Sequence, residues 1–135
     1  MNATGKDLHL VEGNRRLKVL IADDEKNIAD TIQIILRKDG MEAVAVYGGQ
    51  AAVEKAGEWQ PDVFLVDYVM LDLNGIEAAI KICEKFPACR VLVLSAMAAV
   101  PEVKQQLQQR EQHYEVLVKP IYPTELVRRI RAVSA

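Results

Sequence analysis

Five short apolar runs, each followed by a segment of helical period, constrain this chain more than any other feature. The first run, Lys18-Val19-Leu20-Ile21-Ala22, stops abruptly at Asp23-Asp24-Glu25. A continuous apolar run of this length predicts a strand buried on both faces, as in a parallel sheet. Ile28, Ile32, Ile35 and Leu36 then recur at the spacing of one face of an amphipathic helix. Gly40 stands where a helix C-terminus favours a left-handed residue. A second strand is read over 41–46, punctuated by Gly48-Gly49. A short helix over 50–58 turns Ala52, Val53 and Ala56 inward. Pro61 opens a third strand over 62–66 that ends at Asp67. A loop through Asn74-Gly75 leads to a helix with Ile76, Ala79, Ile80 and Cys83 on one face, closed by Pro87. Residues 90–94 form a fourth buried strand ending at Ser95, and Pro101 begins a Gln-rich helix reaching about residue 112. A fifth strand, 116–118, ends at Lys119-Pro120. Pro123 suits the first position of a last helix, where its missing N–H costs nothing, and Leu126, Ile130 and Val133 face inward there.

Strand and helix alternating in this way call for an α/β fold with a parallel sheet and helices on both faces. In such folds ligands sit outside the carboxyl ends of the strands. The chain has 135 residues, half of them hydrophobic, which suits one domain with one sizeable core. Residues 1–16 are polar and without period, and read as a flexible N-terminal extension to a domain over 17–135. A formal net charge of −2 excludes nucleic-acid binding by a bulk basic surface. Cys83 and Cys89 have no further Cys or His at metal-ligand spacing and read as reduced thiols. The start lacks the apolar stretch of a signal peptide, and no run is long enough to span a bilayer. The expectation is therefore a cytoplasmic protein, in which the Asn2-Ala3-Thr4 tripeptide has no glycosylation role. His9 and His113 read as solvated or capping residues, and Arg128, Arg129 and Arg131 as a solvated helix face.

The polar groups at the strand ends carry the chemistry. Asp23 and Asp24 follow the first strand, Asp67 ends the third, Ser95 the fourth and Lys119 the fifth. Parallel strands bring all of these ends to one edge. Carboxylates about 4 Å apart repel by about 1 kcal/mol per pair in water and about 4 kcal/mol at an effective dielectric of 20. A positive charge must offset this. Mg²⁺ suits such a site, because it binds through one or two carboxylates and keeps several waters. Lys119 adds a point charge for a phosphoryl oxygen, Ser95 a hydroxyl donor, and an Asp can act as the nucleophile that forms an acyl phosphate. Singly, each residue is an ordinary cap or loop residue. Together, at the ends of alternating strands, they point to one site.

These residues resemble the bacterial response-regulator receiver domain, a member of the CheY-like superfamily, from about Lys18 to Val133. The matching motifs are Val19-Leu20-Ile21-Ala22-Asp23-Asp24-Glu25, Leu65-Val66-Asp67-Tyr68-Val69-Met70, Asn74-Gly75, Val93-Leu94-Ser95-Ala96 and Val118-Lys119-Pro120. The resemblance implies a flavodoxin-like doubly wound (βα)5 fold, its five-stranded parallel sheet in the order 2-1-3-4-5. It implies that Asp67 is the phosphoacceptor. Asp24 would bind Mg²⁺ (or Mn²⁺) directly, Asp23 largely through water, and Asp67 and the Val69 backbone carbonyl would complete the protein ligands. Ser95 and Lys119 would contact the phosphoryl group, and Lys119–Pro120 is a candidate cis peptide bond. The implied partners are a sensor histidine kinase or histidine phosphotransfer protein and a downstream protein target. Neither nucleic-acid binding by this domain nor membrane insertion is expected, and a phosphorylation-dependent homodimer is compatible with the family. Acting as a stand-alone regulator and being a fragment without its output domain both fit the sequence.

The chain departs from the family at three places. Leu71 replaces a usual proline. Val116 replaces the aromatic three residues before the site lysine, with Tyr114 on the same strand face, so transmission is expected through the packing of residues 101–116. Val69 and Met97 are apolar beside the path of an attacking water, which predicts slow self-dephosphorylation. Three other readings remain. A haloacid-dehalogenase-like phosphatase needs an acid two residues after its nucleophile, where Val69 stands. A flavodoxin-like cofactor binder needs a phosphate loop where Asp23-Asp24-Glu25 stands. A pseudo-receiver that is never phosphorylated is kept open by Val116.

Overall fold

The computed structural model describes residues 10–11 and 15–135. Most of the expected extension, with His9 and Asn2-Ala3-Thr4, lies outside them. The described part of that segment forms a short antiparallel ladder of β1 (Leu10–Val11) and β2 (Arg15–Arg16). Arg15 donates through both terminal nitrogens to the Asp62 carboxylate, at 2.8 and 2.9 Å, and Asp62 also accepts the Lys18 N–H at 2.8 Å.

Five parallel strands follow: β3 (Lys18–Ala22), β4 (Glu42–Val46), β5 (Val63–Asp67), β6 (Arg90–Ala96) and β7 (Glu115–Lys119). They alternate with α1 (Lys26–Lys38), α2 (Gly49–Trp59), α3 (Gly75–Lys85), α4 (Val100–Gln109) and α5 (Pro123–Ser134). A 3₁₀ turn, Met97–Ala99, leads into α4. The sheet order is β4-β3-β5-β6-β7. Counting only these five strands, that is the expected 2-1-3-4-5.

The continuous apolar runs are explained by two cores. On one face Val19, Ile21, Val63, Leu65, Leu92, Leu94 and Leu117 pack with Leu36 of α1 and Ile130 of α5. On the other, Leu20, Phe64, Val66, Val91 and Val93 pack with residues of α2, α3 and α4. A strand between two helix layers has no solvent face, so alternation disappears.

Local chemistry sets the helix ends. Gly40 takes φ 88° after α1, with its N–H on the Arg37 carbonyl and the Met41 N–H on that of Leu36. This is a Schellman closure, and it needs the left-handed residue that the sequence supplies. Two α1 side chains also cover the edge strand. Gln33 Oε1 accepts the Ala45 N–H at 2.7 Å, and Arg37 Nε donates to the Ala43 carbonyl at 2.9 Å. The expected solvated arginine face is only partly so. Arg128 is largely exposed, whereas Arg129 pairs with Glu115 and Arg131 pairs with Asp39 at the end of α1, at 2.5 Å.

Candidate functional site

Parallel pairing of β3, β5, β6 and β7 brings their carboxyl ends to one edge. Among the described residues, Asp23, Asp67 and Ser95 are the buried polar side chains, and all three lie there. Asp67 is the last residue of β5, and only 5% of it is exposed. Lys119, the last residue of β7, donates from Nζ to Asp67 Oδ1 at 2.7 Å. Burial raises the Asp67 carboxyl above its ordinary range; Lys119 opposes this, and Asp24 and Glu25 add to it. Burial alone would lower the Lys119 ammonium, but Asp67, then Asp23 and Glu25, outweigh it and raise it.

Asp23 is the most confined acid. Its Oδ1 accepts the Glu25 N–H at 2.9 Å, while its Oδ2 is buried without a hydrogen-bond partner. Burial first, with Asp67 also repelling, pushes its carboxyl up to about 6, against the Glu25 N–H and Lys119. Asp24 turns one oxygen to the Leu71 N–H at 3.1 Å. Ser95 donates its hydroxyl to the Ala96 carbonyl at 2.8 Å, not to Asp67. The Lys119–Pro120 peptide bond is cis. Thus Asp67 and Lys119 are in contact, Asp23 and Asp24 border them, and Ser95 is adjacent but turned aside.

Among the described residues, no three acid, His or Cys side chains form a ready-made ion cage. The donor chemistry nevertheless suits a hard cation. Asp23 holds an orphaned buried oxygen, and two more carboxylates lie at the same edge. Mg²⁺ needs only one or two of them directly, since water fills its other positions.

The loop after Asp67 is held by Asn74 and Gly75, already prominent in the sequence, and by Glu77 and Asp72, which are not. Gly75 starts α3 so close to the β5 end that a Cβ there would lie 2.5 Å from the Asp67 carbonyl oxygen. Its N–H donates to the Tyr68 carbonyl at 2.9 Å. Asn74 and Glu77 close a reciprocal capping box over this helix start, an Asn-x-x-Glu signal legible in the sequence. Asp72 accepts the N–H groups of Gly49, Gln50 and Leu73 at 2.9, 2.8 and 2.8 Å. These bonds, from Gln50, then Gly49 and Leu73, hold its carboxyl down at about 2. Asp72 therefore caps α2, whose own N-cap, Gly48, offers no side chain. No local signal marks that role, because the partners are 22 and 23 residues apart. Further down the sheet, Val116 of β7 and Tyr114, which lies just before that strand instead of in it, both pack on the α2–α3–α4 side. Around the site Val69, Leu71 and Met97 are exposed, Leu71 at 95%.

A doubly wound parallel sheet carrying a buried aspartate, a lysine on that aspartate and a flanking acidic pair defines a receiver-type signalling domain. The chain belongs to the response regulator receiver domain family, whose pattern it matches over residues 19–131. It is therefore a receiver domain of two-component signalling. It is 28% identical over 117 residues to the DNA-binding response regulator MtrA of Mycobacterium tuberculosis (strain ATCC 25618 / H37Rv), covering 87% of this chain and 50% of that protein. It is 33% identical over 118 residues to the transcriptional regulatory protein CutR of Streptomyces coelicolor, covering 87% and 54%. The chain spans about half the length of these relatives. Among solved structures, the Vibrio cholerae chemotaxis protein CheY4 superposes with a TM-score of 0.78 at 27% identity, covering 87% of this chain and 98% of that one. Among the described residues, no helix is long and apolar enough to cross a membrane.

Proposed function

We propose that Asp67 accepts a phosphoryl group from the phosphohistidine of a sensor histidine kinase or histidine phosphotransfer protein. The observation that carries this reading is the buried Asp67 carboxylate held by Lys119 beside the unsatisfied oxygen of Asp23. An Asp67 oxygen attacks phosphorus, the bond from phosphorus to the donor imidazole breaks, and its electron pair leaves with the imidazole. Lys119 moves its charge from the Asp67 carboxylate to an oxygen of the transferred group. Ser95 turns its hydroxyl from the Ala96 carbonyl to another. Asp24, Asp67 and the Val69 carbonyl would hold Mg²⁺ or Mn²⁺ directly, with Asp23 acting largely through water. When bound, the cation neutralises charge on the transferring phosphoryl oxygens.

Hydrolysis at the same site returns Asp67: a water oxygen attacks phosphorus, the bond from phosphorus to the Asp67 oxygen breaks, and Asp67 leaves as a carboxylate while inorganic phosphate is released. That step is slow because Val69 and Met97 offer no group to orient water. The signal leaves as altered packing of residues 101–116. Unchanged amide spectra for that segment on phosphorylation would refute this route. The receiver spans 17–135 and works in the cytoplasm on a protein target, and a phosphorylated homodimer is one form it can take. DNA binding, named for MtrA, is not assigned to this domain. Incubation with Mg²⁺ and acetyl phosphate, followed by intact mass, tests the reading. The wild type gains one phosphate and Asp67→Asn gains none. An unmodified wild type would favour the pseudo-receiver, which Val116 keeps in view.

A further inference from the structure

Tyr68, the residue after the proposed phosphoacceptor, is fixed at three points. Its N–H donates to the Leu94 carbonyl and its carbonyl accepts the Gly75 N–H, both at 2.9 Å. Its ring is buried in the core against α2, α3 and α4, and its hydroxyl donates to Glu102 Oε2 at 2.5 Å. Glu102 lies in the first turn of α4, where a carboxylate also faces the positive end of the helix dipole.

α4 is otherwise lightly held. Its buried residues are Val103 and Leu107, and its N-cap, Ala99, makes no side-chain cap bond. Among the described residues, Tyr68–Glu102 is the one side-chain hydrogen bond or ion pair joining α4 to another element. The second connection is covalent. β6 runs from Ser95 through Ala96 and the Met97–Ala99 turn directly into α4. The amino end of α4 is thus gripped from two strand ends, β5 through Tyr68 and β6 through the chain itself.

We propose that the Tyr68–Glu102 hydrogen bond is a latch that holds α4 in its unphosphorylated position and is released when Asp67 is phosphorylated. The proposal rests on the phosphoacceptor reading above. Ser95 can reach a phosphoryl group only by leaving the Ala96 carbonyl, and that rearrangement pulls on the segment entering α4 while Tyr68 stays pinned to Leu94 and Gly75. The strain falls on the one side-chain bond between them. The latch also gives α4 a link to the site that does not depend on an aromatic at position 116. Because binding and conformation are reciprocally coupled, a bond made only in the unphosphorylated form weakens the binding of a phosphoryl group or its mimic.

The test uses the full chain with Mg²⁺ and beryllium fluoride as the phosphoryl mimic. Tyr68→Phe deletes the hydroxyl alone, and Glu102→Gln keeps an acceptor oxygen without the charge. Tyr68→Phe should bind beryllium fluoride about tenfold more tightly than wild type, the order expected for a hydrogen bond to a charged group. Its α4 amides, free of ligand, should exchange as fast as those of the ligand-bound wild type. Glu102→Gln should shift both readouts in the same direction by less, and this exposed position carries the test if Tyr68→Phe does not fold. Wild-type affinity in both variants, even with lowered melting temperatures, would make the bond merely structural and overturn the latch. A wild type that does not bind the mimic would instead overturn the phosphoacceptor reading, and the latch with it.

Discussion

Replacing Asp72 with alanine tests whether the loop beyond Asp67 is built into the fold through α2. The carboxylate accepts the first two N–H groups of α2 and the N–H of Leu73 within its own turn. Loss of a side-chain cap typically costs about 1 kcal/mol, within a range of about 0.5–2. Asp72 is exposed, so solvent screens the charged part of this interaction and about 1 kcal/mol is the expected loss. For a chain of this length that lowers the melting temperature by roughly 3–4 °C. The pH dependence has a definite sign. The folded carboxyl, at about 2, lies below its ordinary 3.8. Its contribution is therefore full above the unfolded value and is lost as pH falls toward the folded one. Thermal melts of wild type and Asp72→Ala at pH 7 and pH 3 measure this directly, and the gap between them should be narrower at pH 3. Asp72→Asn, which keeps one acceptor oxygen, should fall between the two at pH 7. Equal melting temperatures at pH 7, or the same gap at both pH values, would refute the capping argument.

Gly75→Ala places a methyl group 2.5 Å from the Asp67 carbonyl oxygen; overpacking of this kind costs about 1–3 kcal/mol, and phosphate uptake measured by intact mass should fall with it. Mg²⁺ at a hundredfold excess over its dissociation constant should stabilise the wild type by about 2.7 kcal/mol. Asp23→Asn, which removes a buried charge repelled by Asp67, should melt higher than wild type without metal and gain less from Mg²⁺; an equal gain would remove Asp23 from the cation site. Phosphorylated protein freed of donor should keep its phosphate for minutes or longer, because Val69 and Met97 cannot orient water; loss within seconds, followed by mass, would count against that role.

The architecture was legible because both sheet faces are buried. Runs such as residues 18–22 and 90–94 therefore stand out as unbroken apolar stretches, each closed by a polar residue at the same edge. Pro123 and Gly40 marked a helix start and a helix end through backbone chemistry that needs no partner. Element limits differ from the expected ones by one to three residues: the last sheet strand is Glu115–Lys119 against 116–118, α2 is Gly49–Trp59 against 50–58, and α4 closes at Gln109 instead of near residue 112, because the chain turns at Arg110-Glu111 with Glu111 at φ 55°. Contacts between distant segments were not legible. Asp72 on α2, Tyr68 on Glu102 and Arg131 on Asp39 join residues 22, 34 and 92 positions apart. In one dimension Arg131 looks like part of a solvated stripe, because nothing near it shows that the end of α1 lies beneath it. The orientation of the Ser95 hydroxyl toward Ala96 is likewise a choice between acceptors that spacing cannot reveal.

The strand order also bears on how the chain is made. β3, the first of these five strands to be synthesised, lies inside the sheet, and β4 joins one flank of it. β5, β6 and β7 then join the other flank in the order of their synthesis. No strand has to be inserted between two already paired. The sheet can therefore grow by edge addition as translation proceeds, with no earlier pairing undone. Lys119 is made after Asp23, Asp67 and Ser95, so the site's own cation is the last of its residues to be synthesised. A nascent chain halted before β7 would carry those carboxylates without their lysine.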